Sequence, residues 1–234
     1  MNKVSVIIAT YNAAGDLQNC LDSFPLQVCD RMEIVIADGA SQDGTLEIIR
    51  RNSSKISQWI SEPDQGVYDA MNKALQVITG SWVYFLGADD LLLPDFVLML
   101  DALQDRSTIY YGNVLLRGKQ YLGLMSPYYQ AKTGICHQAM IYPRSVFMKY
   151  TFDLKYQISA DHHLNMKCHA DPAYSFRYLD LTIARFNHTG LSSLREDQLF
   201  KKHKASLIRK YFGTGIWLRF MFRELKWKFL NRKR

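Results

Sequence analysis

Short apolar runs that alternate with helix patterns constrain the fold of this chain more than any other feature. Three such runs, Val4–Ala9, Glu33–Ala37 and Trp82–Leu86, are rich in β-branched or aromatic residues, and polar turn residues follow each of them. Their length is that of a buried strand. Between them, apolar residues recur at helical spacing in Thr45–Arg51 and Val67–Ile78. Strands that alternate with helices predict a parallel sheet covered on both faces, and thus an α/β fold.

The pattern is less regular beyond about residue 106. Two β patterns flank the turn sequence Arg117-Gly118 and predict a hairpin. Together, the strand and helix patterns indicate one α/β domain over residues 1–200 with an antiparallel extension. The predicted elements of this part are the hairpin strands Ile109–Leu116 and Lys119–Leu124, a loop at Ser126–Ile135, a strand at Gln138–Tyr142, a helix at Asp161–Lys167 and a strand at Tyr178–Phe186.

The C-terminal segment, residues 201–234, concentrates positive charge and aromatic residues. It holds twelve of the 29 Lys and Arg residues and one of the 22 acidic residues, so its net charge is +11, whereas residues 1–200 carry −4. Aromatic residues mixed with cations are typical of a helix that lies on anionic lipid. We therefore predict a basic amphipathic tail that associates with an anionic membrane; a helix packed on the domain is the alternative. One helical face holds Leu218, Met221, Phe222, Leu225 and Phe229, and another holds Arg219, Arg223 and Lys226.

Composition and the N-terminal sequence bear on location. Hydrophobic residues make up 48% of the chain, which is enough for a sizeable core. The first apolar run is too short for a signal peptide, and no run reaches the length that spans a bilayer. We expect a cytoplasmic protein, peripheral on the inner face of the plasma membrane. The acidic body argues against a nucleic-acid partner, because the positive charge is confined to the tail.

Polar residues follow the predicted strands at the positions where parallel sheets bind ligands. These positions hold Thr10-Tyr11-Asn12, Asp38 and the pair Asp89-Asp90. Two adjacent carboxylates at a strand end suit Mg²⁺ or Mn²⁺, which complete their ligand shell with water and phosphate oxygens. The alternative is a solvated turn that caps a helix over Pro94–Leu103. The sequence has neither GxGxxG nor a Walker phosphate loop, which disfavours dinucleotide and P-loop chemistry.

Six sequence blocks, in their order along the chain, together resemble family 2 inverting glycosyltransferases. The resemblance implies the A-type glycosyltransferase fold, a Rossmann-like domain with a mostly parallel sheet flanked by helices. Within this family, the sequence resembles in particular the enzymes that build bacterial surface polysaccharides. The blocks are SVIIATYN (Ser5–Asn12), IADGASQDGT (Ile36–Thr45), EPDQGVYDAMNKA (Glu62–Ala74), FLGADD (Phe85–Asp90), HQAMIYPRSVF (His137–Phe147) and ISADHHL (Ile158–Leu164).

The resemblance also implies roles for individual residues. Asp161 would be the general base, and Asp90 would hold a divalent metal on the diphosphate. Asp89 would lie near the ribose, and Asp38 would accept a hydrogen bond from the edge of the nucleobase. The other implied site residues are Thr10, Tyr11 and Asn12 in the nucleotide pocket, Asn72 and Lys73 toward the donor, and His137 and Gln138 at the acceptor.

Several of these assignments have alternatives. Lys73 lies four residues after Asp69 on the predicted helix, which is a favourable spacing for an ion pair. The pair His137-Gln138 would also suit loop packing. His188 is a candidate metal ligand on a closing loop.

Sugar transfer provides a chemical reason for this residue set. A divalent ion stabilises the charge on a departing nucleoside diphosphate, and an attacking hydroxyl needs one carboxylate to take its proton. We therefore predict an inverting glycosyltransferase that uses Mn²⁺ or Mg²⁺, a nucleotide sugar of the UDP class and a lipid-linked saccharide acceptor. The alternatives are a nucleotidyltransferase, disfavoured because residues 9–16 lack a glycine-rich basic loop, and a non-catalytic membrane-attached scaffold.

Overall fold

A nine-stranded sheet with flanking helices makes up the part of the chain that the structure describes. The computed structural model describes residues 3–25, 30–187 and 196–231. Among these residues, no helix has the length and apolar character that a membrane crossing needs. The strands are β1 (Val4–Thr10), β2 (Met32–Asp38), β3 (Gln58–Ser61), β4 (Trp82–Gly87), β5 (Leu91–Leu92), β6 (Thr108–Leu116), β7 (Lys119–Tyr121), β8 (Met140–Pro143) and β9 (Ser175–Phe186).

Helices connect most of these strands, and a long helix ends the described chain. A 3₁₀ turn, His137–Ala139, leads directly into β8. The α-helices are α1 (Leu17–Asp22), α2 (Thr45–Arg51), α3 (Val67–Ala74), α4 (Asp95–Asp101), α5 (Pro127–Thr133), α6 (Ser145–Lys149), α7 (Ala160–Ala170) and α8 (Gln198–Asn231).

The first four strands are parallel and run in the order β3-β2-β1-β4. β1, β2 and β4 are buried along almost their whole length, as expected for parallel strands with helices packed against them. The register pairs Thr10 with Asp38 and Ala9 with Gly87. The turns that follow β1, β2 and β4 therefore meet at one edge of the sheet.

The sheet becomes mixed beyond β4. β8 is antiparallel to both β4 and β6, and β7 forms the predicted hairpin with β6. Arg117 and Gly118 both have positive φ. Two successive residues with positive φ form the type of two-residue turn whose twist matches that of the flanking strands. β9, in contrast, pairs parallel to β6 along most of its length. The predicted A-type fold with an antiparallel extension is confirmed, although the sheet is mixed rather than mostly parallel.

One local prediction was wrong, and one alternative interpretation does not fit the structure. The predicted loop at Ser126–Ile135 contains α5, which begins with Ser126 as N-cap and Pro127 in the first turn, a favourable helix start. The Ser126 hydroxyl accepts a hydrogen bond from the Tyr129 amide. The pair Asp89-Asp90 does not cap a helix, because α4 begins after Pro94 and β5 intervenes.

The C-terminal helix α8 has two parts, separated by a kink at Gly213, where φ is 81°. Before the kink, Phe200 and Ile208 are buried, and the Phe212 ring stacks on His169 at 4.2 Å between centroids. The predicted domain boundary after residue 200 therefore falls inside a packed helix. After the kink, Phe220 is still buried, whereas Leu218, Phe222 and Leu225 form an exposed apolar stripe.

Candidate active site

A cavity of about 440 Å³ opens at the carboxyl ends of β1 and β4. The turn after β1 contributes Tyr11 and Asn12, the turn after β4 contributes Asp89, and the start of α3 contributes Tyr68. His137 and Gln138 close the far side. Residues far apart in the sequence therefore form one cavity at the edge that parallel sheets use for ligands.

Tyr11 and Asn12 stand on a turn that internal hydrogen bonds hold in shape. Asn12 has a positive φ of 48°, which asparagine tolerates better than most residues. Its amide nitrogen donates to Ser41 Oγ at 2.7 Å, and its side-chain oxygen accepts from the Gln42 amide at 3.0 Å. The Tyr11 ring is 67% exposed, so it offers an aromatic face at the rim of the cavity.

Thr10 and Asp38 support this turn from below and do not line the cavity. Asp38 is buried, and its carboxylate accepts hydrogen bonds from the Thr10 and Ser61 hydroxyls and from both the amide and the hydroxyl of Ser41. The expected hydrogen bond between Asp38 and a nucleobase does not fit this arrangement, because protein donors already occupy the carboxylate. In the structure, Asp38 instead holds the ends of β1 and β3 and the turn at Ser41 together.

Asp64, which received no role from the sequence, lies beside Tyr11. A β-carbon added to Gly39 would come within 2.6 Å of Asp64 Oδ2 and 3.2 Å of Tyr11 Cδ2. Only glycine therefore fits at position 39 without displacing these two side chains. Asp64 is part of the block EPDQG, so its position before a predicted helix was the available signal.

The two adjacent aspartates have different environments. Asp89 lines the cavity, whereas Asp90 is fully buried. Asp90 Oδ2 accepts from the Gly87 amide at 3.0 Å and from Gln138 Nε2 at 2.9 Å, and Oδ1 accepts from the Asn187 amide at 2.8 Å. Burial raises the pKa of Asp90, and hydrogen bonding from Asn187 and Gln138 only partly offsets this. The expectation that Asp90 is the principal metal ligand does not fit this geometry, which presents Asp89 to a ligand instead.

The donor set at this turn suits a hard cation. Among the described residues, no group of three His, Cys, Asp or Glu side chains is arranged to hold a metal. Asp89, with Asp90 behind it, supplies carboxylate oxygen only, which fits Mg²⁺ or Mn²⁺ with the remaining ligands from phosphate and water. His188, the other candidate ligand, lies outside the described residues.

A second cavity, of about 300 Å³, adjoins the first and contains Asp161. The two cavities share Tyr68, His137 and Gln138 in their walls. Asp161 stands in the first turn of α7, and its Oδ2 lies 3.2 Å from His137 Nδ1. The His162 amide donates to its Oδ1 at 2.7 Å. A carboxylate thus faces a space that is continuous with the Asp89 cavity.

Asp161 is ionised at neutral pH. Burial by itself would raise its pKa, but the hydrogen bond and charge of His137, with further hydrogen bonds from Tyr68 and the His162 amide, outweigh burial. The pKa of Asp161 therefore lies below its ordinary value. The arrangement suits a residue that must accept a proton rather than donate one.

Asn72 and Lys73 are not brought to either cavity. Both polar atoms of the Asn72 side chain bond the backbone of Phe152 at 3.0 Å. Lys73 Nζ contacts the Pro63 carbonyl at 2.7 Å and lies 3.0 Å from Glu62 Oε1. These contacts favour the structural alternative for Lys73 and assign Asn72 to the positioning of the segment before α7.

Comparison with known proteins identifies the family. The profile of Glycosyl transferase family 2 matches residues 5–158. This chain belongs to that family. It is 36% identical over 210 residues to a PGL/p-HBAD biosynthesis glycosyltransferase of Mycobacterium bovis, covering 85% of this chain and 82% of the relative. Family 2 membership agrees with the fold and with the order of the six blocks.

Solved structures of low sequence identity share the fold of this family 2 chain. The structure of S. aureus TarS superposes with a TM-score of 0.66 at 18% identity, covering 90% of this chain and 43% of TarS. The chain therefore spans less than half the length of that protein. The mannosyltransferase PcManGT from Pyrobaculum calidifontis, in complex with GDP-Man and Mn²⁺, superposes with a TM-score of 0.61 at 20% identity, covering 92% of this chain and 64% of PcManGT.

Proposed function

We propose that this protein is an inverting glycosyltransferase that moves a sugar from a UDP-sugar to a hydroxyl of a lipid-linked saccharide. The observation that carries the proposal is the meeting of two cavities at His137, one with Asp89 and the other with ionised Asp161. Single displacement needs a leaving group bound on one side of the anomeric carbon and a base on the other. The two cavities provide these two sides.

The Asp89 cavity is the proposed donor site. Tyr11 offers its exposed ring to the nucleobase, and Asp89 would hold Mn²⁺ or Mg²⁺ with Asp90 fixing the turn. The bound ion would stabilise the negative charge that develops on the departing diphosphate. A TarS 1–349 structure in complex with UDP-GlcNAc, at a TM-score of 0.65 and 19% identity, supports a UDP-sugar as donor, and the Mn²⁺ complex of PcManGT supports a divalent ion.

Asp161 is the proposed general base. It would take the proton of the acceptor hydroxyl as that oxygen attacks the anomeric carbon, and no covalent intermediate with the protein forms. His137 keeps the carboxylate ionised and orients it through the contact at 3.2 Å. Inversion follows because the nucleophile and the leaving group lie on opposite faces of the sugar.

The proposed acceptor is lipid-linked, and the proposed location is the cytoplasmic face of the plasma membrane. The exposed stripe Leu218, Phe222 and Leu225 after the kink at Gly213 lies beside basic residues such as Arg223 and Lys226. Apolar residues beside cations bind anionic lipid surfaces. A tail on the membrane would keep the enzyme close to a lipid-linked substrate. A role in surface polysaccharide or glycolipid synthesis agrees with the name of the mycobacterial relatives.

The decisive experiment is a donor screen with the full chain. A panel of UDP-, GDP- and dTDP-sugars is incubated with Mn²⁺ and a lipid extract, and both nucleoside diphosphate release and glycosylated lipid are measured by mass spectrometry. Release of UDP with transfer of one sugar, abolished by chelation of the metal, is expected. In a parallel assay with a nucleoside triphosphate and a sugar 1-phosphate, formation of a nucleotide sugar with release of pyrophosphate from the triphosphate would indicate a nucleotidyltransferase instead. Failure to bind any nucleotide sugar would leave the scaffold alternative.

A further inference from the structure

Part of the wall of the Asp161 cavity is apolar. Leu116, Tyr121 and Phe186 line it. The strand register pairs Leu116 with Phe186 across β6 and β9, and pairs Val114 with Tyr121 across β6 and β7. Paired residues share a face, and so do residues two apart on a strand. Leu116, Tyr121 and Phe186 therefore form one patch across three strands.

Polar residues line the same cavity. They include His137, Gln138, Ser159 and Asp161. The polar residues suit the hydroxyl groups of a sugar, whereas the apolar residues suit a group without hydroxyls. A saccharide alone would leave the apolar residues in contact with its hydroxyl groups and with water.

The segment that carries Tyr121 is fixed in an unusual conformation. Leu122 and Gly123 both have positive φ, of 93° and 89°, and a leucine rarely adopts such a value. The Gly123 amide donates to the side-chain oxygen of the buried Asn113 at 2.8 Å. The Met125 amide donates to the Tyr111 hydroxyl at 3.1 Å. Two hydrogen bonds from backbone amides to side chains of β6 therefore hold the strained turn that follows Tyr121.

This turn also extends the apolar surface outward. Leu124, directly after the strained pair, is highly exposed, and Tyr121 at the cavity rim is 43% exposed. The hairpin therefore exposes apolar side chains both at Tyr121 and just beyond it.

We infer that the hairpin β6–β7 forms a subsite for an apolar group attached to the acceptor sugar, with Tyr121 as the residue that selects for it. This inference rests on the proposed function, because it takes Asp161 as the base that marks the acceptor cavity. The apolar group is an aryl or an alkyl aglycone next to the sugar that carries the accepting hydroxyl. Tyr121 contacts this aglycone with its ring face, and Leu116 and Phe186 complete the contact.

The test compares matched glycosides as acceptor probes. Methyl, phenyl and octyl glycosides of glucose, galactose, rhamnose and N-acetylglucosamine are titrated against the wild-type chain with UDP and Mn²⁺. We expect the phenyl or the octyl glycoside to bind on the order of tenfold more tightly than the methyl glycoside, as burial of an apolar group of this size predicts. The phenyl and octyl arms distinguish an aryl from an alkyl aglycone.

Tyr121→Ala should remove most of this preference and leave the methyl glycoside almost unaffected. The matched control is Tyr129→Ala, because Tyr129 is similarly exposed, at 45%, but does not line the cavity. Equal binding of methyl, phenyl and octyl glycosides by the wild type would overturn the inference. So would an equal loss for all probes in Tyr121→Ala, which would mean that the ring stacks on the sugar itself.

UDP binding separates this inference from the proposed function. If the wild type does not bind UDP in the presence of Mn²⁺, the donor-site proposal fails. If it binds UDP normally but shows no preference for an apolar aglycone, only the aglycone subsite is refuted. The melting temperature of each variant shows whether a loss of binding reflects unfolding.

Discussion

The N-terminal half, residues 3–105, and the C-terminal half, residues 106–231, build their shares of the sheet and of the site differently. In the N-terminal half, β1 to β4 are parallel, and the turns after β1, β2 and β4 project from the ends of buried strands. In the C-terminal half, β6 has neighbours in both directions, and Asp161 depends on a histidine 24 residues away. All six histidines of the chain also lie beyond residue 136. The proposed base therefore belongs to the C-terminal half, whereas the proposed donor site combines turns of the N-terminal half with His137 and Gln138.

The largest expected effect is a loss of chemistry without a loss of donor binding. Asp161→Asn should lower kcat by on the order of a hundredfold or more, because the variant has no group to take the proton of the acceptor. UDP binding, measured by calorimetry with Mn²⁺, should stay close to wild type. Turnover that remains near the wild-type value would show that the base is not Asp161. The assignment of the base to this part of the C-terminal half would then be wrong.

The reverse pattern is expected at the turn after β4. Asp89→Asn should weaken metal-dependent UDP binding by on the order of ten- to a hundredfold, because a carboxylate that holds the ion is lost. Its melting temperature, measured in parallel, separates a loss of UDP binding from a loss of folding.

Asp90→Asn serves as the comparison for this variant. It should mainly lower stability, by about 1–3 kcal/mol, because an amide cannot accept all three of the hydrogen bonds that the buried carboxylate receives. Loss of Mn²⁺-dependent UDP binding in Asp90→Asn, with its melting temperature unchanged, would restore Asp90 as the principal ligand.

Acid should destabilise the C-terminal half in particular. Burial lowers the pKa of both His162 and His163 to about 4, well below the unfolded value near 6.5. Between these values the unfolded chain binds protons that the folded chain does not, so stability is complete above about pH 6.5 and falls as the pH drops toward 4. At pH 5 the loss from His162 alone is about 2 kcal/mol.

Denaturant unfolding at pH 7 and pH 5 measures this loss, and His162→Gln should reduce the difference between the two pH values. Amide exchange should show the opening in α7 and α8, whose contact includes the ring pair His162–Phe200. A free energy of unfolding that is equal at the two pH values would contradict the buried, neutral state of these histidines.

A smaller effect is expected from His137, which acts on the base through a hydrogen bond and through charge. His137→Ala should raise the pKa of Asp161, because burial is then opposed by fewer favourable interactions. The acid limb of the kcat profile should therefore move to higher pH. His137→Gln keeps a hydrogen-bond donor without the charge and should move it less. If the acid limb stays at the same pH in both variants, His137 does not influence the pKa of the base.

The smallest effect is expected at the surface of the tail. The triple variant Leu218→Ser, Phe222→Ser and Leu225→Ser should bind vesicles containing anionic lipid several-fold more weakly, because it removes the apolar stripe. Sedimentation at low and high salt separates this apolar part from the screened charge part.

Met148→Ser and Leu98→Ser are the controls for the tail variant, since both side chains are exposed outside the tail. Truncation near residue 200 is unsuitable, because Ile208 and Phe220 are buried against the domain. Equal sedimentation of the triple variant and the controls would contradict the membrane role.

The difference between the halves also decides what the sequence could predict. Parallel strands covered on both faces are continuous apolar runs, so β1, β2 and β4 were located to within one residue or so. The order and direction of β6, β8 and β9 depend on long-range pairing that no local pattern records. The helix start at Ser126-Pro127 was a readable signal that the prediction missed.

The same reasoning applies to the site. The resemblance located the turn at Asp89-Asp90 and the helix start at Asp161, but neither spacing nor motif distinguishes a buried carboxylate from an accessible one. The burial of Asp90 follows from contacts with Gln138 and Asn187, which are 48 and 97 residues away. Likewise, Asn72 is occupied by the backbone of Phe152, a contact across 80 residues.

The contacts of Asp90 have a consequence for engineering. One carboxylate fastens the turn after β4 to Gln138 in the opposite half and to the chain at Asn187. Consider a chimera that joins the first 105 residues of one family member to the remainder of another. In this chimera, Asp90 comes from one parent, whereas its hydrogen-bond partners Gln138 and Asn187 come from the other. Such a hybrid would carry Tyr11, Asn12 and Asp89 and still lose the shape of the turn, unless both parents supply matching partners. Exchange of donor preference between relatives is thus better attempted by grafting individual turns than by recombining halves.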